Sequence, residues 1–267
     1  MGRMRYREID PPPHLAAHVR CLWIFEAERA GPEPQRIVPD GRTELIVHFR
    51  APYAEDGVAQ PRAIFAGQLT RPLWLRSTGP AGVLGVRFHP AGARRFLGFA
   101  LSEANDRRVD LDSIWPGRGT SLADAMSAAR EDAQRVGVAA EFVAARIATG
   151  SEDDATVARC AQSLERECGK ISIEALSAMA GVGRRQLERR FRDTVGVGPT
   201  LLASILRFRS VFDLIERDSA RPWTEAAIAA GYYDQSHFAR EFRRYAGVTA
   251  TEFLATRPAL ASAIFDL

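Results

Sequence analysis

The chain contains the stretch Gly181-Val-Gly-Arg-Arg-Gln-Leu-Glu-Arg-Arg-Phe191, which decides the fold because a second stretch repeats its pattern. That second stretch is Gly231-Tyr-Tyr-Asp-Gln-Ser-His-Phe-Ala-Arg-Glu-Phe242. The two initial glycines are 50 residues apart and the two final phenylalanines 51, so the second copy has one inserted residue, within its turn. The C-terminal region is therefore a degenerate internal repeat.

Each copy has the parts of a helix-turn-helix unit. A short helix with small side chains precedes the glycine, which lets a second helix cross it closely. The glycine suits a chain reversal that needs positive φ. The next helix has an i, i+4 apolar pair on its buried side, Leu187 with Phe191 and Phe238 with Phe242. Asp234 is predicted to cap the second of these helices.

The apolar pairs also fix which side chains face outward. Arginine pairs with guanine and glutamine with adenine in the major groove, so this face is predicted to bind DNA. The alternative is a solvated face with an i, i+4 ion pair; two copies with the same outward pattern favour DNA. The predicted contacts are Arg184, Arg185, Glu188, Arg189 and Arg192 in the first copy, and Gln235, Ser236, His237, Arg240 and Arg243 in the second.

Residues 155–255 resemble the DNA-binding domain of the AraC/XylS family of transcription regulators. The resemblance implies that the two units enter major-groove faces about one helical turn apart. It also implies a connecting helix over residues 200–216, with Arg207 and Arg209 near phosphates. Gly183 stands where the family usually has a serine cap, which predicts a loss of roughly 0.5 kcal/mol of capping. Ala250 replaces a usual proline.

Residues 1–120 are predicted to be β-rich. Strand-like runs at 21–25, 43–49, 63–65, 73–75 and 83–88 are separated by Gly and Pro, as in a small barrel or sandwich. The segments 38–46 and 85–92 resemble a cupin-like domain that some AraC-type regulators carry. With a helical linker at 121–154 and an all-α domain at 155–267, the fold class is α+β with two domains.

The N-terminal domain has two open interpretations. In the first, it is a sensor whose barrel mouth binds a small-molecule effector, oriented by Asp40, Glu44, Gln68 and Arg87. In the second, it binds no ligand and mediates only protein–protein contact, such as homodimerisation. The resemblance implies effector binding, dimerisation or both, and RNA polymerase is a further candidate partner.

Catalysis is not predicted. Enzymatic cupins hold metal with a His-x-His motif, whereas His14, His18, His48 and His89 occur singly, so neither a metal nor a cofactor is expected. His14 and His18 are predicted to be surface residues. A distant alternative is a DNA-repair alkyltransferase, which needs a reactive cysteine. Cys160 and Cys168, predicted to share a helix, instead suggest packing roles.

Composition agrees with a cytoplasmic DNA-binding protein. No apolar run is long enough for a membrane span, and the N-terminus lacks a secretory h-region. The net charge is +3; residues 1–155 hold 20 basic and 20 acidic residues, and residues 156–267 hold 16 and 13. The whole excess of positive charge thus lies with the repeat, a weak indication of a polyanionic partner.

Overall fold

A computed structural model describes residues 4–31, 33–150, 152–218 and 221–255. The outer ends of the two predicted domains, residues 1–3 and 256–267, lie outside these ranges. The described chain is β-rich as far as residue 110 and helical beyond it, which confirms the α+β, two-domain class. The domain boundaries themselves stay predictions.

Within the described residues, ten strands form two antiparallel sheets. They are β1 Met4–Ile9, β2 Val19–Ala27, β3 Gln35–Ile37, β4 Glu44–His48, β5 Tyr53–Glu55, β6 Val58–Ala59, β7 Ala63–Ala66, β8 Leu73–Ser77, β9 Ala81–Phe88 and β10 Arg108–Asp110. One sheet has the order β1-β2-β9-β4-β7-β10 and the other β3-β8-β5-β6. All five predicted runs are strands, whereas β1, β3, β5, β6 and β10 were not predicted.

The larger sheet is covered on both faces. In β4, Leu45 and Val47 point into the main apolar core, whereas Ile46 and His48 point towards the smaller sheet, as the period of two requires. β9 is buried along its whole length. Gly85 is required there, since a Cβ at this position would lie 2.0 Å from the Trp23 ring.

Four helices cover the outer face of the larger sheet. They are α1 Arg94–Leu97, α2 Leu111–Ile114, α3 Arg118–Ala128 and α4 Asp132–Thr149, and a 3-10 helix, Leu101–Ala104, follows α1. Met126 on α3 and Val143 on α4 are fully buried in the same core as Phe65 and Phe88 of the sheet. The helices of the predicted linker therefore pack as part of the β-rich domain.

The described part of the C-terminal region contains seven helices. They are α5 Ala155–Arg166, α6 Ile173–Ala180, α7 Arg184–Val195, α8 Pro199–Arg217, α9 Trp223–Ala229, α10 Gln235–Ala246 and α11 Ala250–Ala255. Helix α8 contributes Leu202 to the core around α5–α7 and Phe208 and Phe212 to the core around α9–α11. It confirms the predicted connecting helix. Cys168 lies beyond the end of α5, so it does not share a helix with Cys160.

Within the described residues, no single helix is long and apolar enough to cross a membrane. Only α7 and α8 taken together pass such a test, and the chain bends by 60° between them.

Candidate nucleic-acid interface and effector cavity

Helix α7 presents the first predicted DNA-contacting face. Leu187 and Phe191 are fully buried, so the opposite side of the helix faces solvent. The outward arginines Arg184, Arg185, Arg189 and Arg192 are all exposed. Gly183 caps the helix without a side-chain hydrogen bond, as its lack of a side chain predicts. Four guanidinium groups thus project from about two turns of helix.

Two further contacts fix the charged groups of α7. Glu188 accepts a hydrogen bond of 3.2 Å from Arg192 Nε, the ion pair of the alternative interpretation. Arg190, absent from the predicted contacts, pairs through Nε with Asp154 at 2.6 Å, and this partner raises its pKa. Arg190 therefore anchors α7 to the start of α5 and is not available to a ligand in this conformation.

Helix α10 presents the second face. The Asp234 carboxylate accepts a hydrogen bond of 2.7 Å from the His237 backbone N–H, which confirms the predicted cap. Phe238 and Phe242 are buried. Exposed on the opposite side are Gln235, Ser236, Arg240 and Arg243, whereas His237 is half-buried and lies 3.7 Å from Glu241.

Tyr233 was not singled out from the sequence. It directly precedes the cap of α10 and is 92% exposed, unusual for a residue whose neighbour Tyr232 is buried. The signal was the pair of tyrosines after Gly231, of which only one can fill the turn. An exposed phenol at the start of a recognition helix can donate to phosphate or contact a base.

The two arginines predicted on α8 are held within the protein. Arg207 donates through Nη1 to the Gly169 carbonyl at 3.0 Å. Arg209 donates through Nε to Asp213 at 3.2 Å and lines the cleft between the two domains, together with Arg87 and Glu165. This geometry does not support a phosphate contact by Arg209 in the described conformation.

A cavity of about 110 Å³ lies between the two sheets. Of the four predicted ligand-orienting residues, Asp40 and Glu44 line it, whereas Gln68 and Arg87 do not. Gln68 donates instead to the Gly41 carbonyl at 2.8 Å. Direct ligand contact by Gln68 and Arg87 is therefore not supported by the geometry.

Arg87 is held by two carboxylates. Its Nε donates to Glu44 at 2.7 Å and its Nη1 to Glu8 at 3.0 Å. Burial opposes the charge on Arg87, but Glu44 and Asp40 together hold its pKa above its ordinary value. Arg87 thus neutralises Glu44 at the cavity wall.

His48 is a cavity residue that the sequence presented only as a metal candidate. It is 1% exposed, and neither ring nitrogen makes a hydrogen bond of regular geometry, although the Gln60 side chain lies near enough to interact with the ring. Burial lowers its pKa to about 4, against an opposing effect of the Gln60 side chain, so the ring is neutral at pH 7. The two-residue period from Glu44 through Ile46 to His48 is the signal that places it on the cavity face.

Residues 38–42 lie between this cavity and the DNA-binding domain. Asp40 and Arg42 line the cavity, while Val38 packs in the apolar core formed by α8–α11. Arg42 is deeply buried and pairs with Glu165 of α5 at 2.9 Å. Gly41 has φ +83°, and a Cβ there would lie 3.1 Å from Leu202 of α8. One five-residue segment therefore contacts both the cavity and two DNA-domain helices.

Further polar contacts join the domains. Arg94 Nε donates to Asp193 at 3.2 Å. His18, predicted to be at the surface, is half-buried with its Nε2 3.7 Å from Asp153, whereas His14 is exposed. The described residues contain no cluster of three or more His, Cys, Asp or Glu side chains that could hold a metal ion.

Two protein families match separate parts of the chain. Residues 176–256 match a family described as a helix-turn-helix domain, and residues 7–110 match one described as a domain of unknown function (DUF6597). No curated protein sequence matches the chain. The predicted helix-turn-helix region is confirmed, and a domain of this kind supports DNA binding.

Several solved structures of ToxT from Vibrio cholerae are similar. One shares 11% identity, covers 95% of this chain and 98% of its own, and has a TM-score of 0.46. A second, with an unsaturated fatty acid bound, shares 10% identity over 95% and 94% of the two chains, with a TM-score of 0.44. A third shares 10% identity over 95% and 97%, with a TM-score of 0.42.

Proposed function

We propose that α7 and α10 read two blocks of base pairs about one helical turn apart, and that a small molecule in the barrel cavity controls this binding. The observation that carries the proposal is the pair of exposed, arginine-bearing helix faces on either side of α8. Arginine fits both phosphate and guanine, so these faces combine affinity with base selection.

Within each face, we assign different roles to different side chains. Arg185 with Arg189, and Ser236 with Arg240, lie four residues apart on the outward stripes and are placed to reach base edges. Arg184, Glu188, Arg192, Gln235, His237 and Arg243 flank these stripes and position the helices on the duplex. We assign Arg207 to a phosphate contact, which requires that its hydrogen bond to the Gly169 carbonyl opens.

Effector control is proposed to pass through residues 38–42. A ligand in the cavity displaces Asp40 or Arg42, which changes the Arg42–Glu165 pair and the packing of Val38 on the DNA domain. The ligand can shift the free energy of DNA binding only as far as it binds more tightly to one arrangement of the two domains than to the other. Glu165→Gln should therefore reduce the response to an effector, while Glu167→Gln, two residues along and paired only with Arg166, serves as the matched control.

The runner-up is a regulator whose N-terminal domain serves only protein contact. Homodimerisation, contact with RNA polymerase and a cytoplasmic location belong to our proposal in either case. The alkyltransferase alternative is disfavoured because Cys160 is buried and burial raises the pKa of its thiol. Burial likewise raises the pKa of the Cys21 thiol, to about 11. Such thiols are poor nucleophiles at neutral pH.

Selection of bound sequences from a random duplex pool tests the proposed function. We expect two enriched blocks whose centres are about 10 base pairs apart. Enrichment of a single block, or of none, would contradict it. Repeating the selection with the Arg185→Ala, Arg189→Ala double variant should erase only one block, and Arg166→Ala, whose arginine lies on α5, is the control for a general loss of charge.

A further inference from the structure

We infer that the cavity between the two sheets takes an uncharged, largely apolar molecule that carries one hydrogen-bonding group directed at His48. This inference rests on the proposed function, because it names the chemical class of the effector that the barrel would sense. It is carried by the apolar lining, by the charges already paired around the cavity, and by one deeply buried polar side chain that makes no hydrogen bond of regular geometry.

Most of the cavity wall is apolar. The larger sheet contributes Trp23, Phe25, Ile46 and Ile64, and the smaller sheet contributes Ile37, Tyr53, Leu73 and Leu75. Aromatic and branched side chains facing one another across the two sheets favour a flat apolar body over a sugar-like polyol. The ligand should therefore bury a ring or hydrocarbon surface between the sheets.

The charged groups of the lining are compensated by the protein itself. Glu44 accepts hydrogen bonds from Arg87 and, at 3.1 Å, from Trp23 Nε1. Arg108 forms a bidentate pair with Glu55, in which Nε lies 2.6 Å from Oε2. A charged ligand would lose its hydration without gaining a free counterion at these positions, which is costly in an apolar site.

The remaining two charges lie together at the side facing the DNA domain. Asp40 accepts a hydrogen bond of 3.0 Å from the Arg42 backbone N–H, and the Arg42 guanidinium is paired with Glu165. Arg42 keeps one unpartnered donor, Nη1, which makes a carboxylate ligand the competing class. Its two acidic neighbours disfavour that class, and the experiment below includes it.

His48 supplies the polar contact. His48 is 1% exposed and lies on the cavity face of β4, and its ring centre is 6.1 Å from that of Tyr53, with the two rings tilted by 53°. A neutral imidazole offers one donor and one acceptor, and here neither nitrogen makes a hydrogen bond of regular geometry, although the Gln60 side chain lies near enough to interact with the ring. Buried polar atoms without partners are uncommon in proteins, so a ligand hydroxyl or amide that bonds the ring removes a cost already present in the fold.

Three probes with one ring system separate these possibilities: 2-naphthol, naphthalene and 2-naphthoate, each measured by equilibrium dialysis against the full chain at pH 7. We expect 2-naphthol to bind about fivefold more tightly than naphthalene, the size of one net hydrogen bond. 2-Naphthol should bind at least about tenfold more tightly than 2-naphthoate, because the carboxylate anion loses its hydration in the apolar cavity. In His48→Phe, 2-naphthol and naphthalene should bind equally, whereas Ile64→Val should weaken all three alike.

The proposed ligand class is wrong if 2-naphthoate binds the native protein as tightly as 2-naphthol does. It is also wrong if the native protein binds 2-naphthol no more tightly than naphthalene, or if His48→Phe keeps the preference for 2-naphthol. The comparison of probes on the native protein holds even if the variant fails to fold. Operator binding is measured on the same samples. Loss of operator binding contradicts the DNA-binding function, whereas intact operator binding with no detectable binding of any probe contradicts only the effector cavity and the ligand class.

Discussion

The Asn105 side-chain amide donates a hydrogen bond of 2.6 Å to the carbonyl of Gly196, the residue that ends the first recognition helix. Gly196 has φ +97°, and a Cβ there would lie 2.7 Å from Asn105 Oδ1. The β-rich domain is therefore fitted directly against the end of a predicted DNA-reading helix, and its position bears on how that helix is presented.

Replacing Gly196 should destabilise the protein for two separable reasons. Gly196→Ala places a side chain in a left-handed conformation, which costs about 1–2 kcal/mol, and adds the collision with Asn105. The melting temperature should fall. In an Asn105→Ala background the same change should cost less, because the collision with Asn105 is removed while the backbone strain and the close approaches to Gln68 and Leu101, both at 3.3 Å, remain. If Gly196→Ala lowered the melting temperature equally in the native and the Asn105→Ala proteins, the contact between Asn105 and Gly196 would be contradicted.

Protonation of His48 should destabilise the protein in mild acid. Its folded pKa of about 4 lies below the unfolded value of about 6.5, so the unfolded chain binds more protons between these values. The contribution of the neutral His48 ring to the free energy of unfolding is therefore fully present above about pH 6.5. It decreases as the pH falls, by about 2 kcal/mol between pH 7 and pH 5. Urea unfolding of the native protein and of His48→Phe measures it; a parallel pH dependence in both would refute the assignment.

Binding of DNA should depend strongly on salt. If about six phosphates are neutralised, log K should fall with log[salt] at a slope near about −5. The expected contributors are the exposed arginines of α7 and α10. Arg192→Ala should reduce the slope by about 1, whereas Arg166→Ala, on α5, should leave it unchanged. A slope near zero for the native protein would contradict DNA binding through these faces.

Local patterns predicted much of this architecture, because they depend on near neighbours. The alternating runs predicted the long strands. The i, i+4 pairs Leu187/Phe191 and Phe238/Phe242 predicted the buried sides of α7 and α10. Glycines at Gly181 and Gly231 do adopt positive φ, of 64° and 95°.

The missed features depend on residues distant in the chain. Strands such as β3 and β10 have three residues each, too few to show a period. The helices of the predicted linker bury their apolar sides against the sheet, which their sequence does not reveal. The cavity needs both sheets, and Arg87 is held outside its lining by Glu44 and by Glu8, 79 positions earlier in the chain.

The central claim is that α7 and α10 read different base pairs. It is tested most directly by fluorescence-anisotropy titration of Arg189→Ala and Arg240→Ala against every single-base variant of a selected operator, with Arg207→Ala as the comparison. Arg189→Ala should relax preference by about 1–3 kcal/mol at one or two base pairs, Arg240→Ala should do so about one helical turn away, and Arg207→Ala should weaken all sequences alike. A uniform loss of affinity in the first two variants, or relaxation by both at the same base pair, would contradict the account.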